Sequence, residues 1–549
     1  MEKQALKALP MSLQDDYASA EQRLHALRQC PEAFGHPTGT VEWIETHISW
    51  LLLAGDFAYK FKKPLQLDFL DFSTPALRRA ACEEELRINR RTAPALYLGL
   101  VALSGAAGSL RLHPAEAAPA DAEPAVRMRR FAQEALLSHL LEQQRLLPAH
   151  IDALAQQVAQ FHASAAVALP PQGWGTARAV TAPVHDCLAA LQPQVAQWAP
   201  DLGPVLAQVA QWCATQGATL APVFAQRLQA GRVRECHGDL HLANLVLIDG
   251  QPQLFDAIEF NPALRWIDCV ADIAFLAMDL EARGRADLAW RFLNAWLEHT
   301  GDYAGLPVLT YYRVYRALVR ARVAGLRLAQ AQGEARAASL REVQRYLALA
   351  QRFVQPRAPA LWLAHGFSGA GKSTHSQALV AERGVVRVRA DVERKRLFGL
   401  APEDSSGAVP GGIYTAEASR RTHERLAQAA RWALDAGHTV LVDATFLNPA
   451  MRQRFMALAA QAQVPCHILS FEAPLAVLRE RVRSRQQAGG DASEASVQVL
   501  EAQWAAAQPL SPAEEAITVH VDTTRPVDWN ALLPPAGACA GARTPGGPA

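Results

Sequence analysis

The sequence predicts two domains in succession: an α+β domain, then an α/β domain with a parallel sheet and crossover helices. Residues 40–130 are rich in strand-like apolar runs around one helix, and residues 132–230 and 262–354 are mainly helical. From residue 360 onward, short apolar runs alternate with helical segments, which is typical of a parallel sheet with helical crossovers. The stretch QPRAPA, which ends at Ala360, places two prolines after a long helical pattern and therefore marks the domain boundary.

The composition excludes several classes of protein. Of the 549 residues, 50% are hydrophobic and 19% are charged, so the chain can bury large cores and is not disordered as a whole. Lys+Arg 54 against Asp+Glu 53 gives a net charge of +1, and this balance argues against a general nucleic-acid binder. The N-terminus lacks the apolar core of a signal peptide, and no stretch reaches the ~18–20 uncharged apolar residues of a membrane helix. We therefore expect a cytoplasmic protein with no membrane partner.

The segment CHGDLHLANLVLIDGQPQLFD in the first domain carries a catalytic-loop pattern. It contains H-x-D-x-x-x-x-N as His237, Asp239 and Asn244, and Asp256 follows after two predicted strands joined by an Asp-Gly turn. The segment resembles the aminoglycoside phosphotransferase and choline kinase branch of the kinase-like fold, whose loop reads H-G-D-x-x-x-x-N. This resemblance implies a two-lobed kinase-like domain in which Asp239 is the catalytic base and Asn244 and Asp256 bind the metal.

A lysine further upstream fits the same resemblance. Lys60, in DFAYKFKK, resembles the strand lysine that contacts ATP phosphates, and Lys62 on the same face is its competitor. The carboxylate partner of this lysine would come from the helix RRAACEEELRINRR, with Glu84 or Glu85 as candidates. The alternative for these glutamates is a charged, solvent-facing helix surface.

The second domain opens with a phosphate-loop pattern. ALWLAHGFSGAGKST contains G-x-x-x-x-G-K-S between an apolar strand and a helix. Glycines let backbone N–H groups curve around a phosphate, and the helix N-terminus adds favourable dipole charge. Lys372 would reach the β- and γ-phosphates, and the Ser373 hydroxyl would hold Mg²⁺. The predicted nucleotide-binding residues here are Gly366, Phe367, Ser368, Gly369, Ala370, Gly371, Lys372, Ser373 and Thr374.

Three further features of this domain fit a small kinase. Asp391 ends the strand GVVRVRAD, where it can take a proton from an acceptor hydroxyl or, alternatively, cap the next helix. Asp443 ends the strand TVLVD, where a carboxylate can orient Mg²⁺ or its water, the alternative being a plain turn residue. The segment LRERVRSRQ places arginines on two helix faces by i,i+4 spacing. We predict that Arg479 and Arg483 close over the nucleotide, against the alternative of a solvated charged face.

These features together carry a second resemblance. Residues 360–530 resemble the small P-loop kinases related to polynucleotide kinase, gluconate kinase and zeta toxin, through GFSGAGKST, RADVERKRL, VLVDATF and the arginine-rich segment. The order of the two halves resembles a bacterial family of bifunctional phosphotransferase/ATP-binding proteins. The predicted domains are a kinase-like domain at 1–355 (small lobe about 36–130, large lobe about 131–355), a linker at 356–359, a P-loop domain at 360–533 and a disordered tail at 534–549.

The resemblance implies an enzyme: an ATP- and Mg²⁺-dependent phosphotransferase acting on hydroxyl groups of small metabolites, and the neutral charge suits a small-molecule acceptor. The alternative is a nucleotide-binding regulatory protein whose N-terminal domain binds a ligand or partner, because no G-x-G-x-x-G precedes Lys60. A nucleic-acid 5′-end kinase ranks third. It predicts steep salt dependence, and the arginine clusters are not interleaved with aromatic residues for base stacking.

Overall fold

The structure, a computed structural model, describes residues 11–67, 70–106, 108–119, 121–329, 331–488 and 493–533. The chain forms two compact units. Unit 1 contains the described residues up to Leu154 together with Gln160–Asp279 and Tyr311–Gln351. Unit 2 contains Ala155–Ala159, Leu280–Thr310 and the described residues from Arg352 onward. The tail at 534–549 that the sequence predicts to be disordered lies outside the described residues.

The helices account for most of the regular structure of the chain. They are α1 (Met11–Arg28), α2 (Pro75–Asn89), α3 (Leu137–Glu142), α4 (Pro148–Ser164), α5 (Ala177–Trp198), α6 (Gly203–Gln229), α7 (Cys269–Ala282), α8 (Ala286–Thr300), α9 (Leu306–Leu328), α10 (Gly333–Val354), α11 (Lys372–Arg383), α12 (Ala390–Leu397), α13 (Ala416–Asp435), α14 (Pro449–Gln461), α15 (Leu475–Ala488), α16 (Val497–Ala506), α17 (Pro512–Glu515) and α18 (Trp529–Leu532). Across the part of the chain that the structure describes, none of the helices combines the length and the apolar character that a bilayer crossing requires.

Unit 1 contains twelve strands among its described residues, six of which form one antiparallel sheet. Its strands are β1 (Glu42–Glu45), β2 (Ser49–Ala54), β3 (Phe57–Lys62), β4 (Gln66–Leu67), β5 (Leu70–Asp71), β6 (Tyr97–Ser104), β7 (Arg111–Pro114), β8 (Glu123–Arg129), β9 (Val233–Glu235), β10 (Leu245–Ile248), β11 (Gln251–Leu254) and β12 (Trp266–Asp268). Six of them form one sheet in the order β1-β2-β3-β8-β6-β7. The α+β fold class predicted for the first domain is confirmed.

Local sequence explains the elements that position the first site. The SWLLLA and FAYKFK segments form the adjacent strands β2 and β3, and nearly all of their side chains are at least partly buried. Helix α2 begins where the Thr74 side chain accepts a hydrogen bond from the Leu77 N–H, and Pro75 occupies its first turn. The predicted Asp-Gly turn joins β10 to β11, with positive φ at both Asp249 and Gly250.

Three segments of the described chain differ from the elements that the sequence predicts. Residues 104–125 are rich in alanine, proline and glycine, a composition that predicts a loop, but they contain β7, which pairs with β6. The helical pattern from Leu306 to Phe353 forms two helices, α9 and α10, and Gly333 at the start of the second has positive φ. A fifth strand of unit 2, at Thr518–Asp522, was not singled out by the sequence because its TVHVD pattern is short and half polar.

Unit 2 contains a five-stranded parallel sheet, which confirms the predicted α/β class. Its strands are β13 (Leu361–His365), β14 (Val386–Arg389), β15 (Val440–Asp443), β16 (Cys466–Glu472) and β17 (Thr518–Asp522), in the order β14-β15-β13-β16-β17. Parallel strands buried on both faces read as continuous apolar runs, as ALWLAH and TVLVD do. The central strand β13 leads directly into the phosphate loop, and neighbouring β15 ends at Asp443.

Candidate active sites

The first site, here called the N-terminal site, is centred on Lys60. The Lys60 Nζ donates to Glu85 Oε1 at 2.7 Å and to Asp256 Oδ1 at 2.5 Å. Glu85, rather than Glu84, is therefore the helix carboxylate that meets the strand lysine. Burial works to lower the pKa of Lys60, but Asp256 and Glu85 outweigh it, and the pKa lies well above its ordinary value.

Lys62 is the second cation of the same cluster. Its Nζ donates to Glu85 Oε2 at 2.5 Å and to Glu259, and its side chain is fully buried. Burial acts to raise the pKa of Glu85, but the two lysines have the larger combined effect and lower the pKa to about 2. Lys60 therefore faces Asp256 of the candidate metal site, whereas Lys62 faces Glu259 in the interior.

The loop at 237–244 brings Asp239, His241 and Asn244 together. The Asn244 Nδ2 donates to Asp239 Oδ2 at 2.9 Å and to the Asp239 carbonyl at 3.0 Å. The His241 Nε2 lies 3.3 Å from the same Oδ2. Burial raises the pKa of Asp239, but His241, His237 and Arg320 together outweigh burial, so that the pKa lies well below its ordinary value. Asp239 is held ionised, in the form that accepts a proton.

Backbone contacts fix the shape of this loop. Asp272 accepts hydrogen bonds from the His237 N–H at 3.1 Å and the Gly238 N–H at 2.9 Å. Gly238 has φ +85°, and a Cβ there would lie 2.6 Å from the Leu264 carbonyl oxygen. The His237 Nε2 donates to the Phe255 carbonyl at 2.9 Å, which ties the loop to the strand end before Asp256. His237 and Asp272 thus support the loop rather than face an acceptor.

Asp256 sits in an unusual backbone conformation. Its φ is +61°, its N–H donates to the Tyr97 hydroxyl at 3.0 Å, and its carboxylate meets Lys60. Non-glycine residues keep such a conformation only where surrounding contacts determine it, which is common at functional sites. The carboxylate of Asp256 and the carboxamide oxygen of Asn244 are the oxygen ligands that Mg²⁺ prefers, so these residues fit that ion.

The turn between β1 and β2 contains no glycine. Residues 46–48 connect β1 to β2, and they read Thr-His-Ile. The Lys63 Nζ donates to the Thr46 carbonyl at 2.6 Å and to Glu45 Oε1 at 2.7 Å. A buried lysine therefore holds this turn in place.

The second site, here called the phosphate-loop site, lies in unit 2 between β13 and α11. Gly366, Gly369 and Gly371 all have positive φ, at 144°, 81° and 82°. A Cβ at Gly366 would lie 2.6 Å from the Phe471 carbonyl oxygen, and one at Gly369 equally close to that of Leu478. These positions require glycine, because both the backbone conformation and the close approach exclude a side chain.

Lys372 begins α11 and folds back on the loop. Its Nζ donates to the Gly366 carbonyl at 2.8 Å and the Phe367 carbonyl at 2.7 Å. Burial lowers the pKa of Lys372 to about 8, against the opposing effect of Asp443 and Asp391. An ammonium group held by backbone carbonyls can transfer to a phosphate without breaking an ion pair.

Ser373, in the first turn of α11, meets Asp443, which ends the strand β15. The Ser373 Oγ donates to Asp443 Oδ2 at 3.2 Å, and the Ser376 Oγ lies 3.5 Å from the same oxygen. A hydroxyl and a carboxylate oxygen match the few protein ligands that Mg²⁺ takes beside nucleotide phosphates. The residues present therefore fit this ion.

Asp391 lies in the first turn of α12, and the capping position belongs to Arg389. Burial raises the pKa of Asp391, although Ser493 and Arg389 favour its charged form. A carboxylate with a raised pKa is suited to general-base catalysis, because its proton affinity is closer to the operating pH. The alternative role as helix cap does not apply to this residue.

The arginines of α15 are arranged differently from the prediction. Arg479 Nε pairs with Glu501 at 2.6 Å, and Arg483 is exposed beside Glu480. The other face of the helix meets the loop: the Arg481 Nη1 lies 3.4 Å from the Gly369 carbonyl and 2.9 Å from Thr523 Oγ1. The charge of Arg485 acts on Lys372 and lowers its pKa. Helical spacing alone predicts two faces but not which one meets the loop.

Two further contacts at the loop have no sequence signal. The Gln503 side chain accepts a hydrogen bond from the Ser368 N–H at 2.9 Å, and the Trp504 ring lies 4.8 Å from the Phe367 ring. Both residues belong to α16, a short helix of ordinary composition. Helix α16 therefore covers a backbone donor of the phosphate loop.

Comparison with known proteins gives matches to both parts of the chain. A family model described as "AAA domain" matches residues 361–510. Uncharacterised proteins of Mycobacterium tuberculosis and Mycobacterium bovis are 32% identical over 464 residues, which cover 84% of this chain and 90% of theirs. Among solved structures, a sugar kinase from Janibacter sp. HTCC2649 is 22% identical with a TM-score of 0.24, covering 31% of this chain and 88% of its own. Choline kinase from Cryptosporidium parvum is 10% identical with a TM-score of 0.39, covering 61% and 96%.

Proposed function

The chain belongs to the same family as these mycobacterial proteins, and from its two sites we propose that it is an ATP-dependent phosphotransferase acting on hydroxyl groups of small metabolites. The observation that carries the proposal is the phosphate loop at 366–374, with Lys372 on its carbonyls and Ser373 against Asp443. Backbone donors, an ammonium group and a hydroxyl–carboxylate pair are the groups that nucleotide phosphates and their metal require. The proposed domains are 1–355 and 360–533.

At the phosphate-loop site, each residue has a proposed role. The loop N–H groups and Lys372 bind the phosphates, and Ser373 and Asp443 hold Mg²⁺, which when bound neutralises phosphate charge. Asp391 accepts the proton of the acceptor hydroxyl, in keeping with its raised pKa. Arg481, through its contact with Gly369, takes the lid role for which the sequence predicts Arg479 and Arg483.

At the N-terminal site, the proposed base is Asp239. Its carboxylate stays ionised beside His241 and is oriented by Asn244. Lys60, held by Glu85, would contact the phosphates, and Asn244 and Asp256 would provide ligands for Mg²⁺. ATP and Mg²⁺ are thus the proposed cofactors of both sites, and the proposed partner is a small-molecule acceptor.

One observation favours a second function for the N-terminal domain. No G-x-G-x-x-G precedes Lys60, and Lys63 holds the turn at 46–48, whereas the loop at 366–374 has three glycines with positive φ. The second candidate is therefore a nucleotide-binding regulatory protein, in which the phosphate-loop site binds ATP and the N-terminal domain recognises a ligand or partner.

The test is ATP turnover with Mg²⁺ and a panel of sugars, nucleosides and aminoglycosides, for the Lys372→Ala and Asp239→Asn variants. Asp249→Asn, at the exposed turn between β10 and β11, is the matched control. If each variant loses transfer to a different acceptor while the control is unchanged, the phosphotransferase proposal stands for both sites. If Asp239→Asn leaves all turnover unchanged and Lys372→Ala abolishes it, the regulatory alternative replaces it for the N-terminal domain.

A polynucleotide acceptor is tested in the same assay with an oligonucleotide that carries a 5′-hydroxyl. We expect no transfer to it above the level of the nucleoside. Transfer that falls steeply with rising salt concentration would instead indicate a nucleic-acid 5′-end kinase.

A further inference from the structure

Helix α8 (Ala286–Thr300) belongs to unit 2, although it precedes the predicted domain linker in sequence. It places a buried carboxylate, Glu298, against the edge strand β14. Glu298 Oε1 accepts hydrogen bonds from Arg387 Nε at 2.9 Å and Nη2 at 2.7 Å, and Oε2 accepts one from Arg389 Nη1 at 3.3 Å. Arg387 and Arg389 are two positions apart in β14, so their side chains lie on the same face of the strand, the one that meets Glu298. Burial acts to raise the pKa of Glu298, but the two arginines have the larger combined effect and lower the pKa, so the carboxylate is ionised.

Arg387 carries this contact to the start of α11. Its Nη1 donates to the Ser373 carbonyl at 3.3 Å and to Ser376 Oγ at 3.2 Å. Ser373 and Ser376 are the two hydroxyls that meet Asp443. Glu298 is thus two hydrogen bonds away from the helix turn that presents the Ser373 hydroxyl.

Arg389 carries the contact to Asp443 itself. Its Nε lies 3.9 Å from Asp443 Oδ2, while its Nη1 is bonded to Glu298 at 3.3 Å. The guanidinium is therefore shared between two carboxylates. Without the charge of Glu298, it would move towards Asp443 and compete there with Ser373 and any bound cation.

We propose that Glu298 is a positioning residue for the Mg²⁺ ligands of the phosphate-loop site. It fixes Arg387 beneath the Ser373 turn and holds Arg389 away from Asp443, which leaves the Asp443 carboxylate available to Ser373 and to the ion. This inference rests on the proposed nucleotide binding at that loop. It assigns a role in the second site to a helix that lies before the linker in the sequence.

The test is equilibrium binding of a fluorescent ADP analogue to the full chain at increasing Mg²⁺ concentration, without turnover. The signal of the phosphate-loop site is the part that Lys372→Ala removes. For Glu298→Gln we expect the Mg²⁺ concentration at half-maximal binding to rise on the order of tenfold, as for residues coupled in one salt-bridge network. Affinity at saturating Mg²⁺ should change little. The double variant Glu298→Gln/Arg389→Gln should bring the Mg²⁺ requirement back down towards the wild-type value, because the cation that competes at Asp443 is gone.

Asn294→Ala is the matched control for loss of packing. Asn294 lies on the same helix, and its hydrogen bonds go to the backbone at β14, namely to the Val385 carbonyl at 3.0 Å and from the Arg387 N–H at 2.6 Å. We expect this variant to lower thermal stability and leave the Mg²⁺ requirement unchanged. An equal rise of that requirement in Asn294→Ala would show that Glu298 only anchors the helix.

The remaining outcomes separate this inference from the proposed function. If wild type binds the analogue and Glu298→Gln has the wild-type Mg²⁺ requirement, or if the double variant is not restored, the positioning role is wrong. If wild type shows no Lys372-dependent binding at all, the proposed function fails and the inference with it. Should Glu298→Gln not fold, Arg389→Gln alone decides: removal of the competing cation should lower the Mg²⁺ requirement, and a rise would overturn the proposal.

Discussion

The two candidate sites hold their lysines in opposite ways. Lys60 is bound by two carboxylates, Glu85 and Asp256, and its pKa lies well above the ordinary value. Lys372 is bound by two backbone carbonyls, and burial lowers its pKa to about 8. Lys60 is part of an ion-pair network that also holds the fold, whereas Lys372 belongs to a loop whose donors and acceptors are backbone groups.

The two sites also differ in how far apart in the sequence their residues lie. The N-terminal site is assembled from side chains far apart in sequence, since Lys60 and Asp256 are separated by 196 positions. The phosphate-loop site is assembled mainly from residues 366–374, which are consecutive in the sequence. Three of them are glycines with positive φ angles, which other residues adopt only with strain. The first should therefore respond to loss of a charge with loss of stability, and the second with loss of binding.

The largest expected effect comes from the same substitution at the two lysines. Lys60→Met leaves Glu85 and Asp256 with a partner missing, and we expect a loss of about 3 kcal/mol in the stability of unit 1. Lys372→Met removes only hydrogen bonds to carbonyls, and we expect about 1 kcal/mol or less. Native-state hydrogen exchange of the β3 and α11 amides measures each loss in its own unit. Equal losses at the two positions would remove the distinction between the sites.

The next effect is on the backbone of the phosphate loop. Gly369→Ala puts a Cβ 2.6 Å from the Leu478 carbonyl oxygen at φ +81°, so the loop must change shape. We expect nucleotide affinity at this site to fall about 100-fold, the value of one or two hydrogen bonds to charged phosphate. Gly399→Ala is the control, because Gly399 has φ +73° but open space around its Cβ position. A similar loss of affinity in both variants would mean that backbone strain outside the loop lowers nucleotide affinity as much as a change in the shape of the loop, which would contradict this prediction.

A smaller effect separates the two sites by pH. Phosphate binds the ammonium form of lysine, and the Lys372 pKa of about 8 means that binding above this pH must take up a proton. We expect affinity at the phosphate-loop site to fall by up to about tenfold per pH unit above pH 8. The N-terminal site should be flat over this range, because the pKa of Lys60 is raised. Titration calorimetry of Asp256→Asn and Lys372→Ala reports each site alone, and parallel pH profiles would contradict the assignment.

More of the phosphate-loop site than of the N-terminal site could be predicted from the sequence. The spacing of Gly366, Gly371, Lys372 and Ser373 is local, and Asp443 ends the neighbouring apolar strand, so the sequence alone indicates that these residues lie near one another. The choice between Glu84 and Glu85 depends on which face of α2 packs against β3, which tertiary contacts decide. The same holds for α15, where Arg481 and not Arg479 meets the loop.

The role of α8 could not be predicted, for a related reason. Its sequence is an ordinary amphipathic pattern within a helical region, and nothing local indicates that Glu298 meets Arg387 and Arg389. Contacts between side chains about 90 positions apart are a property of the folded unit. The prolines of QPRAPA are a local signal, whereas nothing local in the sequence indicates that Leu280–Thr310 joins the later unit.

We propose that both sites bind a nucleotide. The most direct test is the stoichiometry of a non-hydrolysable ATP analogue with Mg²⁺, measured by titration calorimetry on the full chain. We predict two equivalents bound to wild type, one to Lys372→Ala and one to Asp256→Asn. One equivalent on wild type, together with none on Lys372→Ala, would contradict it and leave the phosphate loop as the nucleotide site.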